Sequence, residues 1–340
     1  LGYEDEINMS VEKSFLLPSR DGKVERSVNG SKRSERMIEK YEYRDKNGEL
    51  ICLAKVEFEQ ATEFDLLRNA LEGGRLLKSL ILENGNASID ILSLANKHGA
   101  VITILDSSDF DCYAVLDKEV LSHPLDSPLS IGVLLHELGH IEQYKDEYFI
   151  RLSKASESFQ YASSNDFESK IENLREVGIC DYLDPKLLAE FKILLDEFGE
   201  YSSDDYGLLG IDKRLDEVLA ELDDVMIIAT QVAERDATRR AILWLRQIKD
   251  RGIDLLQIIQ TPFKATIAAY LLNQDSEDMM REKDATCFKA LVDGLEKIDD
   301  DEFVNTTILQ DLQLALRTTR SSTKEMKRSY GKIPKAKLNY

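Results

Sequence analysis

No apolar run in this chain approaches the eighteen or so residues that a helix needs to cross a bilayer, so no membrane-spanning role is expected. Cysteine is sparse as well. Four residues, Cys52, Cys112, Cys180 and Cys287, stand far apart with no Cys-x-x-Cys pair, which argues against a disulfide-stapled framework and fits a reducing, cytoplasmic setting. Positive charge is in deficit. The 44 Lys and Arg against 64 Asp and Glu leave a net charge of −20, a poor balance for a protein whose main partner is nucleic acid. The opening stretch, LGYEDEINMS, is acidic and lacks the apolar core of a secretory leader. Only the tail runs against this balance. From Arg317 to Tyr340 eight Lys and Arg face one acid, Glu325, a local +7 that leaves −27 on the rest; the default reading of such a run is a solvated segment.

Histidine is scarce too, at four in 340 residues, yet two of the four lie in GVLLHELGHIEQY (132–144), with Glu137 directly after the first. On an α-helix a spacing of four is just over one turn. His136 and His140 then project from one face and can both reach one tetrahedral metal ion, with bonds of about 2.1 Å to zinc. Glu137 is rotated away from the pair, out of comfortable ligand position but close enough to reach a water on the metal. This is the His-Glu-x-x-His pattern of zinc-dependent peptidases, here His136-Glu137-Leu138-Gly139-His140. Local signals support the helix. Ser127 is placed to cap it and Pro128 to open it, while Leu134, Leu138 and Ile141 form an apolar stripe with no break before about residue 149.

The organisation along the chain is that of an α+β protein with strands early and helices late. Residues 1–35 read as a polar N-terminal arm. Residues 36–150 form the α+β part that carries the His-Glu helix. KYEYRDKNGELICLAKVEFE (40–59) has the alternation of a β-hairpin, with Asn47-Gly48 at its turn. Residues 62–82 and 86–97 are expected to be helices, the second capped by Ser88. GAVITILDS (99–107) and CYAVLD (112–117) read as short strands, and KEVLSHPLDSP as a loop. An insertion of helix and loop follows over 151–210, with its serine-rich first part read as loop or marginal helix and helices over 170–182 and 185–198. A long helix is expected within 211–252, from Asp212 to Asp250 with Gly252 ending it. Three further helices fill 253–320, and 321–340 is the basic tail.

Two histidines do not hold a catalytic zinc; a third protein ligand is expected, with the fourth position left open. Metzincins would place glycine and a third histidine at positions occupied here by Gln143 and Asp146. His98 and His123 both precede the helix, so a carboxylate is the favoured third ligand. Glu234, in VAERDATRRAILWL, shares its helix face with Thr230, Ala237 and Ala241. Such a strip of small side chains lets another helix backbone come close enough for a glutamate to reach. Asp224, Glu221 and Glu157 remain alternatives.

HELGH after a strand and loop, followed by a later helix of the form Glu-x-x-Ala-x-x-x-Ala (Glu234, Ala237, Ala241), resembles the glutamate-ligand, gluzincin-like branch of the zincin metallopeptidases. The resemblance covers about residues 99–145 and 215–245, and departs from the compact pattern in the 94 residues that separate His140 from Glu234. It implies a zincin-like domain with a small β-sheet and an active-site helix, and one Zn²⁺ per chain held by His136, His140 and Glu234. The activity implied is that of a zinc metalloendopeptidase with Glu137 as catalytic base and a peptide or protein as substrate. The strand 112–117 is then expected to pair its edge with that substrate. An oxyanion donor is sought among His123, Tyr144, Tyr206 and Arg235. Two other functions fit the same residues: a helical interaction protein on a zincin scaffold, and a metal-dependent hydrolase of a non-peptide bond.

Overall fold

A computed structural model of the chain describes residues 36–60, 74–105, 113–115, 118–157, 161–163, 167–180, 185–198, 200–202, 213–260, 263 and 300–315. The chain divides into two compact units, Leu1–Leu138 with Ala241–Ile298, and Gly139–Arg240 with Asp299–Tyr340. Among the described residues no helix is long and apolar enough to cross a membrane. The fold class is α+β, as expected.

The first unit is built on a mixed sheet. Strands β1 (Arg36–Arg44), β2 (Leu50–Gln60), β3 (Arg75–Asn84), β5 (Val101–Ile104), β7 (Glu119–Ser122) and β6 (Tyr113–Val115) follow one another in that order, and β4 (Ala87–Asp90) also pairs with β3. All neighbours are antiparallel except β5 and β7. The β1–β2 hairpin is the expected one. Asp45 Oδ1 accepts from the amides of Asn47 and Glu49, each at 2.8 Å, and Gly48 takes φ 83° at the turn, where a side chain would be strained. Its buried face carries Tyr41 and Tyr43 opposite Ala54 and Cys52, with Val56 and Phe58 continuing the row.

Three expectations are corrected here. Residues 75–84 are strand β3, not the helix expected over 62–82; residues 62–73 of that helix lie outside the described residues. The cause is a β-bulge. Leu77 pairs with Phe58 and Ser79 with Glu57, so Lys78 has no opposite number. Leu77, Leu80 and Leu82 then share the buried face at spacings of three and two, which imitates helical periodicity. In 86–97, Gly85 and Asn86 turn the chain into β4, and only Ile91–Ala95 (α1) is helical. Its cap is Asp90, which accepts from Leu92 and Ser93, and not Ser88. Within the expected loop, Glu119–Ser122 forms β7, paired on both sides. It is too short to show alternation: Val120, Leu121 and Ser122 are all buried.

Helix α2 (Pro128–Gln143) begins as expected, with Ser127 Oγ accepting from Leu129 N at 3.1 Å. Tyr43 Oη ties the preceding segment to β1 by donating to Leu125 O at 2.5 Å. The helix stops at Gln143, earlier than expected, because Asp146 caps a separate helix, α3 (Glu147–Glu157), through Tyr148 N at 3.0 Å.

The second unit is mostly helical. Helices α3, α4 (Phe167–Glu176) and α5 (Pro185–Phe198) bury Phe149, Leu152, Ala155, Ile171, Leu174 and Phe191 with Val225, Ile228 and Val232 in one core. Of the two readings of residues 151–157, loop or marginal helix, the helix is the one found; Ser153 and Lys154 are exposed, outside the apolar face of Phe149, Leu152 and Ala155. Strands β8 (Tyr161–Ser163) and β9 (Glu200–Ser202) form an antiparallel pair. The long helix α6 runs from Lys213 to Asp250, and Gly252, with φ 100°, ends it as expected. Of the three helices expected in 253–320, helical residues are described at 256–260, 300–305 and 308–315, and the rest lies outside the described residues.

Candidate metal centre

The two histidines belong to α2 and Glu234 to α6. His136, His140 and Glu234 each offer a ligand atom, and these atoms lie within 4.8 Å of one another. His136 and Glu234 are buried and His140 is nearly so. Such a group of two imidazoles and a carboxylate could hold a metal ion.

Gly139 explains how α6 comes so close. A Cβ built there would stand 2.8 Å from Ala237 O and 3.0 Å from Ala237 Cα, so the α2 backbone lies directly on that of α6. Ala237 and Ala241 are fully buried, as the small-residue strip predicts. The side chains of Thr230, Asp224, Glu221 and Glu157 lie outside the described residues.

His140 is held at both ends of its ring. Its Nε2 is 3.3 Å from Glu234 Oε1, and its Nδ1 is 2.9 Å from Gln143 Oε1. Two atoms bound at about 2.1 Å to one tetrahedral ion stand about 3.4 Å apart, so the first distance suits a shared metal. Gln143 is fixed in turn. Its amide nitrogen donates to Ala233 O at 2.7 Å and to Asp236 Oδ2 at 2.9 Å. Asp236 accepts from Arg239 Nη1 at 3.1 Å and from Arg240 Nε at 2.7 Å. Arg240 also reaches Glu142 at 3.2 Å and Asp146 at 3.5 Å. Burial works against its charge, but the carboxylates of Asp236 and Glu142 more than offset this and hold the guanidinium above its ordinary pKa.

Residues 234–239 are buried without a break, an unusual run for Glu-Arg-Asp-Ala-Thr-Arg. Asp311, in the 308–315 helix, is the counter-charge. It accepts from Arg235 Nε at 2.7 Å and pairs with Arg239 Nη2, while both guanidiniums lie over the Phe303 ring at 5.2 and 5.6 Å. Arg235, one of the oxyanion-donor candidates, is thus occupied with Asp311. Tyr206 lies outside the described residues, Tyr144 is exposed, and His123 is half-buried after β7. Glu137 is buried on α2, while Leu138 and Trp244 are core residues.

Gln143 and Asp236 are the two site residues that the motif reading does not assign. Gln143 stands three residues after His140, a spacing that puts both on one helix face and could have been noticed. No family model, curated protein or solved structure matches the chain.

Proposed function

We propose that the chain is a zinc-dependent endopeptidase with a zincin-like fold, acting on a peptide or protein in the cytoplasm. The observation that carries the reading is the convergence of Glu234 on His136 and His140, across 94 residues of sequence, beside the buried Glu137. Two neutral imidazoles and one carboxylate match the donor set of a catalytic zinc with an open position, so His136, His140 and Glu234 would hold the ion, one per chain. Zinc bound there would polarise a scissile carbonyl and make a water more acidic.

The chain's own residues divide the remaining work. Glu137 follows His136 by about 100° around the helix, which points its carboxylate beside the ligand face. There it takes a proton from the attacking water as general base and returns it to the leaving amine. Burial of Glu137 and Glu234 keeps their charges from being screened by bulk solvent. Strand β6 ends the described sheet with only β7 beside it, so its outer edge suits main-chain pairing with an extended substrate.

Elemental analysis of the purified protein and of His140→Ala and Glu234→Ala, with hydrolysis of an unstructured protein assayed alongside, tests the reading. Stoichiometric zinc lost in both variants, together with hydrolysis by the wild type, is the expected result. A wild type that takes up no zinc after reconstitution overturns it. Stoichiometric zinc with hydrolysis of small esters only would make the protein a hydrolase of non-peptide bonds instead.

A further inference from the structure

We infer that Gln143 is a positioning residue that sets the tautomer of His140, and that Asp236 sets Gln143; the inference rests on the metal reading above. A side-chain amide can be turned either way, but not here. Its nitrogen faces Ala233 O and Asp236 Oδ2, two groups that only accept hydrogen bonds, at 2.7 and 2.9 Å. Asp236 in turn accepts from Arg239 and Arg240. The Gln143 oxygen is therefore the atom left for His140, and at 2.9 Å from Nδ1 it calls for a proton on that nitrogen.

The consequence falls on the other side of the ring. With the proton on Nδ1, Nε2 carries a lone pair, and that lone pair faces a Glu234 oxygen at 3.3 Å. Lone pair against carboxylate is favourable only with positive charge between them, which a shared metal ion supplies. Metal-binding histidines usually rest their second nitrogen on a carboxylate, a backbone carbonyl or a water. Here an amide takes that place and the carboxylate stands one step behind it. The charge of Asp236 polarises the amide, which strengthens its oxygen as an acceptor.

Two readouts test this. The first uses nitrogen-15 NMR of the histidine side chains in the zinc-loaded wild type. Zinc on Nε2 of His140 with the proton on Nδ1 is expected; zinc on Nδ1 overturns the inference with no variant needed. The second compares zinc affinity, by competition with a chromogenic chelator, between wild type and Gln143→Met, which keeps the length and removes the acceptor. A loss of about tenfold to a hundredfold is expected. Unchanged affinity in Gln143→Met overturns the inference while leaving the metal site intact. If instead neither the wild type nor any variant binds zinc, the metal reading itself is what fails.

Discussion

Replacing Gly139 by alanine gives the strongest test of the close approach of α2 to α6, because two arguments predict opposite signs. Helix propensity alone favours alanine by about 0.8–1.0 kcal/mol at an interior helical position. The structure says otherwise. The new methyl would stand 2.8 Å from Ala237 O and 3.0 Å from Ala237 Cα, both backbone atoms that cannot rotate away. Comfortable contact begins at about 3.5 Å, so the two backbones must part by about 0.5–0.7 Å. Overpacking of this kind costs about 1–3 kcal/mol, which outweighs the propensity gain. His140 is the next residue and Glu234 lies one turn before Ala237, so the same displacement opens the ligand set. Metal sites tolerate about 0.2 Å in ligand distance, and a shift several times larger should cost zinc affinity by tenfold or more. Urea denaturation of the metal-free protein measures the first effect and chelator competition the second. A Gly139→Ala protein that is more stable than wild type and binds zinc equally well would refute the packing argument.

Three other outcomes are expected. Glu137→Gln should keep its zinc and lose about 10²–10⁴-fold in hydrolysis of an unstructured protein, because a general base is removed and no ligand is; loss of zinc in that variant would argue against the assigned role. Asp311→Ala leaves Arg235 buried without its carboxylate and Arg239 with that of Asp236 alone, and should lower stability by about 3–5 kcal/mol in a denaturant titration; a neutral result would mean that the cluster is open to water. Burial pushes the Cys52 thiol from its ordinary value of 9.0 up to about 12. The native state therefore holds this proton more tightly than the unfolded chain. Its contribution is complete below pH 9 and is lost as pH rises through about 12. Cys52 should resist alkylation at neutral pH until the sheet unfolds, which mass spectrometry after pulse labelling would check.

The His-Glu helix, the hairpin and the long helix were legible because each is signalled within a few residues. Ser127 and Pro128 mark one start, Asn47-Gly48 a turn, and Gly252 a stop. Glu234 was legible for a different reason, since the alanines three and seven positions on betray a close helix neighbour without naming it. The errors lie where a tertiary partner redefines the local pattern. Lys78 has no opposite residue in β2, so the leucines of β3 fall at helical spacing. Glu119–Ser122 is a strand only because β5 and β6 flank it. Asp236 and Gln143 look like ordinary surface residues, and their roles depend on a partner some 93 positions away in the chain.

The order in which a chain leaves the ribosome gives the divided units a further meaning. All three candidate ligands have been synthesised by position 234, but Asp311 emerges 77 residues later. Until then Arg235 lacks its carboxylate and Arg239 has that of Asp236 alone. A nascent chain halted short of that point would contain every candidate ligand and still leave the neighbour of Glu234, Arg235, without its carboxylate. Any metal binding would then lean on a residue, Asp311, that is no part of the ligand group.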